Sequence, residues 1–324
     1  PWTQRGCVVK TNEASVMNAI DPSVMADPVT GKWWMHYGSF FGGLYCVELD
    51  PETGLPAEEG DQGHLTARRA NYQKDNLEAP EIIYNPDLKQ YYLFVSYDPL
   101  MTTYNVRVGR SDKAEGPFVD FSGVELKDTT NNFPILTAPY RFHNHPGWAG
   151  TAHCSVFTSD EGQYFMAHQG RLSPHNQMMD LHLRQVFFTP DGWPVVSPER
   201  YTGCVSRKFS AEDMAGEWEV IRIQEPAYER RLQAGQILWG EGQLKEEEWN
   251  VSHLLSLEKN GNLGENKGTW ELLEAKQLLS LTLEGEIINN LIIFAGHDWE
   301  NEKETVLFTG LDSCGRSIWG KRIK

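Results

Sequence analysis

Residues 81–96 read EIIYNPDLKQYYLFVS, and this stretch carries the pattern that decides the fold. A short apolar strand runs into a turn of Asn, Pro and Asp, and the aromatic pair Tyr91-Tyr92 then opens a longer strand. The same order recurs at 23–38, SVMADPVTGKWWMHYG, and at 155–168, SVFTSDEGQYFMAH. Further short strands follow each copy. The repeat predicts three units of about four antiparallel strands each, which is the size of a β-propeller blade.

The alternative to a propeller is an ordinary β-sandwich whose hairpins look alike by chance. Reuse of an aromatic pair after the same kind of turn favours blades. Three blades cannot close a ring, because propellers have about four to eight. The chain opens at Pro1-Trp2 with no Met, no basic stretch and no apolar leader. We therefore expect a processed or truncated start, with part of the propeller lying before Pro1.

The pattern changes from about Val205. Short strands such as 278–283 and 287–294, separated by Gly, Asn and Asp turns, predict a second, smaller β-barrel. The predicted domains are thus 1–204, three blades of a propeller, and 205–324, an accessory barrel. Within the barrel, the pair His297-Asp298 beside Trp299-Glu300 is interpreted as a solvated loop.

Composition narrows the class of protein. The chain has 324 residues, with 29 Lys and Arg against 45 Asp and Glu, and a formal net charge of −16. An excess of acid argues against nucleic acid as a partner, because phosphate backbones recruit Lys and Arg clusters. No apolar run approaches the roughly 20 residues needed to cross a bilayer, so no membrane partner is expected. The five widely spaced cysteines indicate free thiols, mostly buried.

Two acids stand in unusual surroundings. Asp21 lies in an uncharged stretch directly before the first strand of one unit, and Glu78 lies at what looks like the matching position of the next. The innermost strands of propeller blades line a central channel, so acids at corresponding positions can face one another. Hydrolysis of a glycosidic bond needs a carboxyl group that protonates the leaving oxygen, assisted by burial and a nearby negative charge. Each acid alone could equally cap a turn or strand, but together they favour this chemistry.

A histidine occupies the corresponding place in the third unit. His153 comes just before the strand at 155. A lone histidine there is more often a hydrogen-bonded core residue than a metal ligand. Its match to Asp21 and Glu78 favours a neutral imidazole that holds a hydrated metal ion beneath a sugar site.

With these residues, the chain resembles the arabinanases of glycoside hydrolase family 43. The resemblance spans nearly the whole chain, including a small C-terminal barrel, and six ordered motifs carry it: NAIDP at 18–22, YGSFFGG at 37–43, LEAP at 77–80, VGRS at 108–111, AHCSV at 152–156 and DGWPV at 191–195. It implies an all-β fold, part of a five-bladed β-propeller followed by a small β-barrel. It also implies a secreted, bacterial enzyme that cleaves α-1,5-linked arabinofuranosyl chains of arabinan with inversion.

The resemblance also implies roles for particular residues. Glu78 would be the general acid, Asp21 the acid that tunes its pKa and orients it, and His153 the residue that holds one calcium or sodium ion. The residues expected to line sugar subsites are Asn18, Ile20, Ser39 and Phe40. The general base of the family is an aspartate of the first blade, which this sequence does not contain. The resemblance therefore implies a partner polypeptide, N-terminal to this chain, that completes the propeller.

Two other functions stay open at this point. The first is a noncatalytic carbohydrate-binding propeller fragment, in which Asp21 and Glu78 only bind sugar hydroxyls. The second is a β-xylosidase or arabinofuranosidase of the same clan, because loops set specificity. The sequence does not distinguish internal cleavage from cleavage at chain ends. For the barrel, which could grip polymer beside the cleft or close the flank of the propeller, we expect a mainly structural role with some contact at the cleft rim.

Overall fold

The computed structural model describes residues 3–69, 76–128, 131–205, 207–225, 243–283 and 285–324. Nearly all the regular structure in these ranges is β-strand. The exceptions are one short α-helix, α1 (Ala211–Met214), and two single 3₁₀ turns at Glu246–Glu248 and Gly264–Asn266. The predicted all-β class is confirmed. The stretch 226–242 of the predicted barrel lies outside the described residues.

The chain divides into two compact units. The first contains Pro1–Pro99, Val106–Phe133 and His153–Val156. It holds two sheets of the blade type, in which strands adjacent in the chain are neighbours in the sheet. The strands are β1 (Ser23–Ala26), β2 (Trp33–Tyr37), β3 (Leu44–Leu49) and β4 (His64–Ala67) in one sheet, and β5 (Leu77–Asn85), β6 (Gln90–Tyr97) and β7 (Asn105–Ser111) in the other.

The repeated aromatic pairs have a packing role in this unit. Trp34 of the first pair and Tyr91 of the second lie in the same buried apolar cluster, together with Leu44 and Leu93. Period-two alternation along β3 places Leu44 and Cys46 on the same side of the sheet, where both are fully buried. The first two aromatic pairs thus share a packing role, since each contributes a buried ring to this cluster.

The second unit contains Leu100–Asn105, Pro134–Ala152 and Phe157–Lys324. Its non-barrel strands, together with β11, which spans the division between the units, are β8 (Ile135–Thr137), β9 (Tyr140–Arg141), β10 (Trp148–Ala149), β11 (Ser155–Thr158), β12 (Tyr164–Leu172), β13 (Asp180–Phe188), β14 (Pro194–Val196) and β16 (Asn250–Val251). In one sheet the order is β14, β13, β12, β10, β9 and β16. The strands β11, β12 and β13 confirm the third predicted repeat.

The rest of the second unit is a closed barrel of eight strands. These are β15 (Gly216–Arg222), β17 (His253–Leu257), β18 (Asn262–Leu263), β19 (Gly268–Leu273), β20 (Leu278–Leu283), β21 (Glu286–Asp298), β22 (Lys303–Leu311) and β23 (Ser317–Arg322). Antiparallel pairing of β15 with β23 closes the ring. Large side chains such as Trp218 and Phe308 fill the interior. The predicted boundary at 204/205 stays a prediction.

Two sequence expectations have outcomes here. All five cysteines are free thiols, but only Cys46 and Cys154 are buried. The expectation of mostly buried thiols was wrong, because Cys7, Cys204 and Cys314 lie in loops. Among the described residues, no helix has the length and apolar character that crossing a membrane requires.

Candidate active site

The three repeats share a strained backbone position. Asp21, Ala79 and His153 all adopt left-handed conformations, with φ of 54°, 51° and 55°. Such a conformation costs a residue other than glycine on the order of 1–3 kcal/mol and clusters at functional sites. The position equivalent to Asp21 is therefore Ala79. Glu78 lies one residue before it, so the match of Asp21 with Glu78 expected from the sequence is offset by one.

Glu78 is held in place by the loop that follows β2. Its side chain is buried, and Ser39 Oγ donates a hydrogen bond of 2.9 Å to its Oε2. The backbone N–H of Phe40 donates a hydrogen bond of 2.8 Å to the carbonyl oxygen of Leu77, which holds the loop after β2 against the start of β5. Ser39, predicted to line a sugar subsite, is itself buried and positions the carboxyl group of Glu78.

Asp21 lies close enough to Glu78 and His153 to interact with both electrostatically. Its Oδ2 accepts a hydrogen bond of 3.3 Å from the backbone N–H of Ala79. Partial burial raises the pKa of Asp21, the imidazole of His153 opposes this shift, and the charge of Glu78 raises the pKa further. The structure thus brings Asp21, Glu78 and His153 together. A carboxyl group whose charge is disfavoured, next to a buried second one, is the arrangement expected for acid catalysis.

His153 differs from the two acids in exposure. Its side chain is exposed, while its backbone N–H donates to Ser96 Oγ at 2.9 Å. Because its side chain is exposed, His153 is not a hydrogen-bonded core residue. In the part of the chain that the structure describes, His153 belongs to no close group of three His, Cys, Asp or Glu side chains. Any ion bound there would have to be held largely by water.

The loop after β2 also decides which apolar side chains face solvent. Phe40, a predicted subsite residue, is buried, whereas the next residue, Phe41, is 47% exposed. Ile20, another predicted subsite residue, is also 47% exposed, and its carbonyl accepts a hydrogen bond from Gly38 N–H at 2.9 Å. Asn18 is partly buried just before it. Phe41 is a better candidate than Phe40 for contact with a sugar; both belong to the motif YGSFFGG, and the sequence alone did not distinguish them.

One compact acidic group occurs elsewhere. Ligand oxygens of Glu199, Asp298 and Glu300 lie within 4.8 Å of one another. The ammonium group of Lys321 lies between these three carboxyl groups. It is 2.9 Å from Glu199 Oε1 and 3.1 Å from Asp298 Oδ1, and it also forms a salt bridge with Glu300. This cluster is an ion-pair network, and the lysine takes the place that a metal ion would need.

Sequence comparison assigns both parts of the chain. Residues 1–194 match the profile of glycosyl hydrolases family 43. The chain belongs to this family. Residues 198–320 match the C-terminal lipocalin-like domain found with family 43 proteins. The resemblance inferred from the motifs is therefore confirmed at the level of the family, and so is a blade-type fold followed by a barrel.

Named endo-arabinanases are similar over nearly the whole chain. The extracellular endo-α-(1→5)-L-arabinanase 2 of Bacillus subtilis is 27% identical over 94% of this chain, and the extracellular endo-α-(1→5)-L-arabinanase of Thermotoga petrophila is 30% identical over 95%. The chain spans 64% of the length of each. The crystal structure of endo-1,5-α-L-arabinanase from Thermotoga petrophila aligns with a TM-score of 0.79 at 27% identity, covering 97% of this chain and 69% of the other.

Family 43 membership does not by itself assign the residues of this site. The roles of Asp21, Glu78 and His153 stay predictions, which their proximity supports. The features that the sequence did not indicate are the hydrogen bond from Ser39 to Glu78 and the exposure of Phe41.

Proposed function

We propose that this chain is the acid-bearing part of an extracellular glycoside hydrolase that cleaves α-1,5-linked arabinofuranosyl chains with inversion. The observation that carries the proposal is the buried carboxyl group of Glu78, bonded to Ser39 and next to Asp21. The names of two relatives that align with nearly the whole chain, both extracellular endo-α-(1→5)-L-arabinanases, support the substrate and the location.

Glu78 is the proton donor in this mechanism. The glycosidic oxygen leaves readily only when it receives a proton, and general acid catalysis typically contributes about 10² to 10⁴-fold. The hydroxyl of Ser39 orients the Glu78 carboxyl group, and Asp21 lies close enough for the charge of Glu78 to raise the pKa of Asp21. Ile20 and Phe41 offer apolar contact to the sugar rings.

The general base comes from a second polypeptide segment in this proposal. Inversion needs a carboxylate that activates water on the opposite face of the sugar, about 6.5 to 9.5 Å from the acid. The sheet of β12 and β13 offers a surface where such a segment could pack. On one face Phe157 stacks on Phe165, Phe165 contacts Tyr201, and Leu181 is 81% exposed. An exposed apolar face of this kind is typical of a site where another protein segment packs.

The test of the function is hydrolysis of debranched arabinan, with native mass spectrometry of the same preparation. We expect activity when a companion polypeptide travels with the chain, and loss of both companion and activity in Leu181→Glu. The matched control is Leu254→Glu, since Leu254 is an exposed leucine of β17 in the barrel. Hydrolysis by the chain alone would contradict the need for a companion. Binding of arabino-oligosaccharide without hydrolysis in the complex would indicate a binding module instead.

We also propose that His153 holds a calcium or sodium ion. The exposed imidazole offers one ligand, and water would complete the shell, because both ions prefer oxygen ligands. When bound, the ion would supply positive charge near Asp21 and Glu78.

Calcium is expected to raise the melting temperature of the wild type and not that of His153→Ala. A ligand at 100 times its Kd stabilises the folded state by about 2.7 kcal/mol. Melting curves in chelator, calcium and sodium measure this directly and identify the ion. His64→Ala, which removes an exposed histidine of β4, serves as the control. Equal shifts in wild type and His153→Ala would place any ion elsewhere.

A further inference from the structure

One carboxylate links the first strands of all three repeats. Glu81 Oε2 accepts a hydrogen bond of 2.8 Å from Ser23 Oγ. Its Oε1 accepts one of 2.8 Å from Ser155 Oγ and one of 3.0 Å from the backbone N–H of Val156. Ser23 Oγ in turn accepts a hydrogen bond from the backbone N–H of Ile82 at 3.2 Å. Both oxygens of Glu81 are thus used, one toward each neighbouring repeat.

These three positions are equivalent and lie next to the candidate catalytic residues. Ser23, Glu81 and Ser155 each come two residues after the left-handed residue of their repeat. Asp21 and His153 lie two residues before these positions and Glu78 lies three before Glu81, which is at most about 7 and 11 Å of chain, so a shift of one strand passes directly to them. Strands β1 and β5 belong to different sheets, so no sheet ladder fixes β1 against β5 at this point.

We propose that Glu81 is a positioning residue that sets the separation of Asp21, Glu78 and His153. The proposal rests on the proposed function and adds to it a residue that does not touch the substrate. Because the Glu81 carboxylate accepts three hydrogen bonds from two repeats, it opposes movement of the three strand starts relative to one another. Charge-assisted hydrogen bonds of this kind are about twice as strong as neutral ones.

Replacing Glu81 by Ala is expected to lower kcat on arabinan by about 10²-fold with little change in KM, since a displacement near 1 Å of catalytic groups costs about that much. Ser155→Ala, which keeps the carboxylate, is a milder second variant in case Glu81→Ala folds poorly. In a Ser23→Ala/Ser155→Ala background, Glu81→Ala is expected to have little further effect, because the partners are already gone.

The matched control is Asp27→Ala. Asp27, like Glu81, carries a carboxylate that links the first two repeats, through a hydrogen bond from Tyr91 Oη. It is buried, however, and follows the far end of β1. We expect it to lower the melting temperature and leave kcat unchanged. A drop in melting temperature without a drop in kcat for Glu81→Ala would make Glu81 merely structural and overturn the proposal.

Amide hydrogen exchange tests the positioning without activity. In Glu81→Ala, the amide of Ala79, which donates to Asp21, is expected to exchange faster, along with those of Ile82 and Val156. In Asp27→Ala these amides should keep wild-type rates. Unchanged exchange at Ala79 would overturn the proposal. An inactive wild type with faster Ala79 exchange in Glu81→Ala would reject the proposed function and leave the role of Glu81 in place.

Discussion

Glu78→Gln is expected to lower turnover of debranched arabinan by about 10² to 10⁴-fold, the usual contribution of general acid catalysis. Glutamine keeps the size of the side chain and an oxygen that can accept the hydrogen bond from Ser39, but it has no acidic proton to transfer. KM should change little, because the amide still fills the same buried position. Initial rates over a range of arabinan concentrations measure both quantities.

A substrate with a better leaving group separates acid catalysis from simple binding. A dinitrophenyl arabino-oligosaccharide releases a phenolate that needs no proton. We therefore expect Glu78→Gln to retain near wild-type turnover on it. Glu58→Gln, at an exposed position, is the control for the substitution itself. Equal losses on both substrates would contradict a role as proton donor, and unchanged turnover on arabinan would reject Glu78 as a catalytic residue.

The repeat pattern predicted the blades well because it reflects local chemistry. A turn followed by an aromatic pair is typical of a hairpin. The pair 33–34 opens β2, and the pair 91–92 follows the first residue of β6. The same repeat pattern predicted that Asp21, Glu78 and His153 lie close together. The alignment of Glu78 with Asp21 was wrong by one residue. The equivalent residue is Ala79, whose left-handed backbone conformation cannot be predicted from its side chain.

Contacts between repeats could not be predicted from the sequence. Glu81 looks like an ordinary strand residue, and its partners Ser23 and Ser155 lie 58 and 74 residues away. Phe41 is exposed and Phe40 is buried although the two side chains are identical, because the turn directs them differently. Interactions of this kind depend on the relative position of strands, which local pattern does not specify.

The prediction for His297-Asp298 was wrong for the same reason. An acidic stretch beside a turn is usually solvated, yet Asp298 is fully buried at the end of β21 and paired with Lys321. The partner Glu199 is 122 residues from Lys321 in sequence and lies on the other side of the predicted domain boundary. The cluster therefore joins the predicted barrel to the segment after β14, which agrees with a structural role for the barrel.

Lys321→Met is expected to lower the free energy of unfolding at pH 7 by about 3–5 kcal/mol, the usual cost of leaving buried charges without their partner. The ammonium group is fully buried among three carboxyl groups and lies 3.9 Å from the centre of the Phe142 ring. Methionine fills a similar volume but removes the charge. Urea denaturation of the variant and the wild type measures the difference.

The pH dependence of this loss follows from the carboxyl groups. Burial raises the pKa of Glu199 from 4.5 to about 8 even though Lys321 opposes the shift. A folded-state pKa above the unfolded value means that the folded protein binds the proton more tightly. The stability from this group is complete below about pH 4.5 and is lost as pH rises toward 8. Asp298 behaves oppositely: burial opposes the shift, but Lys321 lowers its pKa, so its contribution is lost in acid.

Lys321 lowers the pKa of both Glu199 and Asp298, and its removal takes this contribution away. The destabilisation should therefore be largest near pH 8, where the carboxyl groups must be charged, and smallest near pH 4, where protons neutralise them. Lys303→Met, at an exposed lysine of the neighbouring strand β22, is the control and should change stability by about 0.5 kcal/mol or less. A loss below about 1 kcal/mol that is independent of pH would show that the ion pairs with Lys321 do not hold the barrel to the preceding sheet.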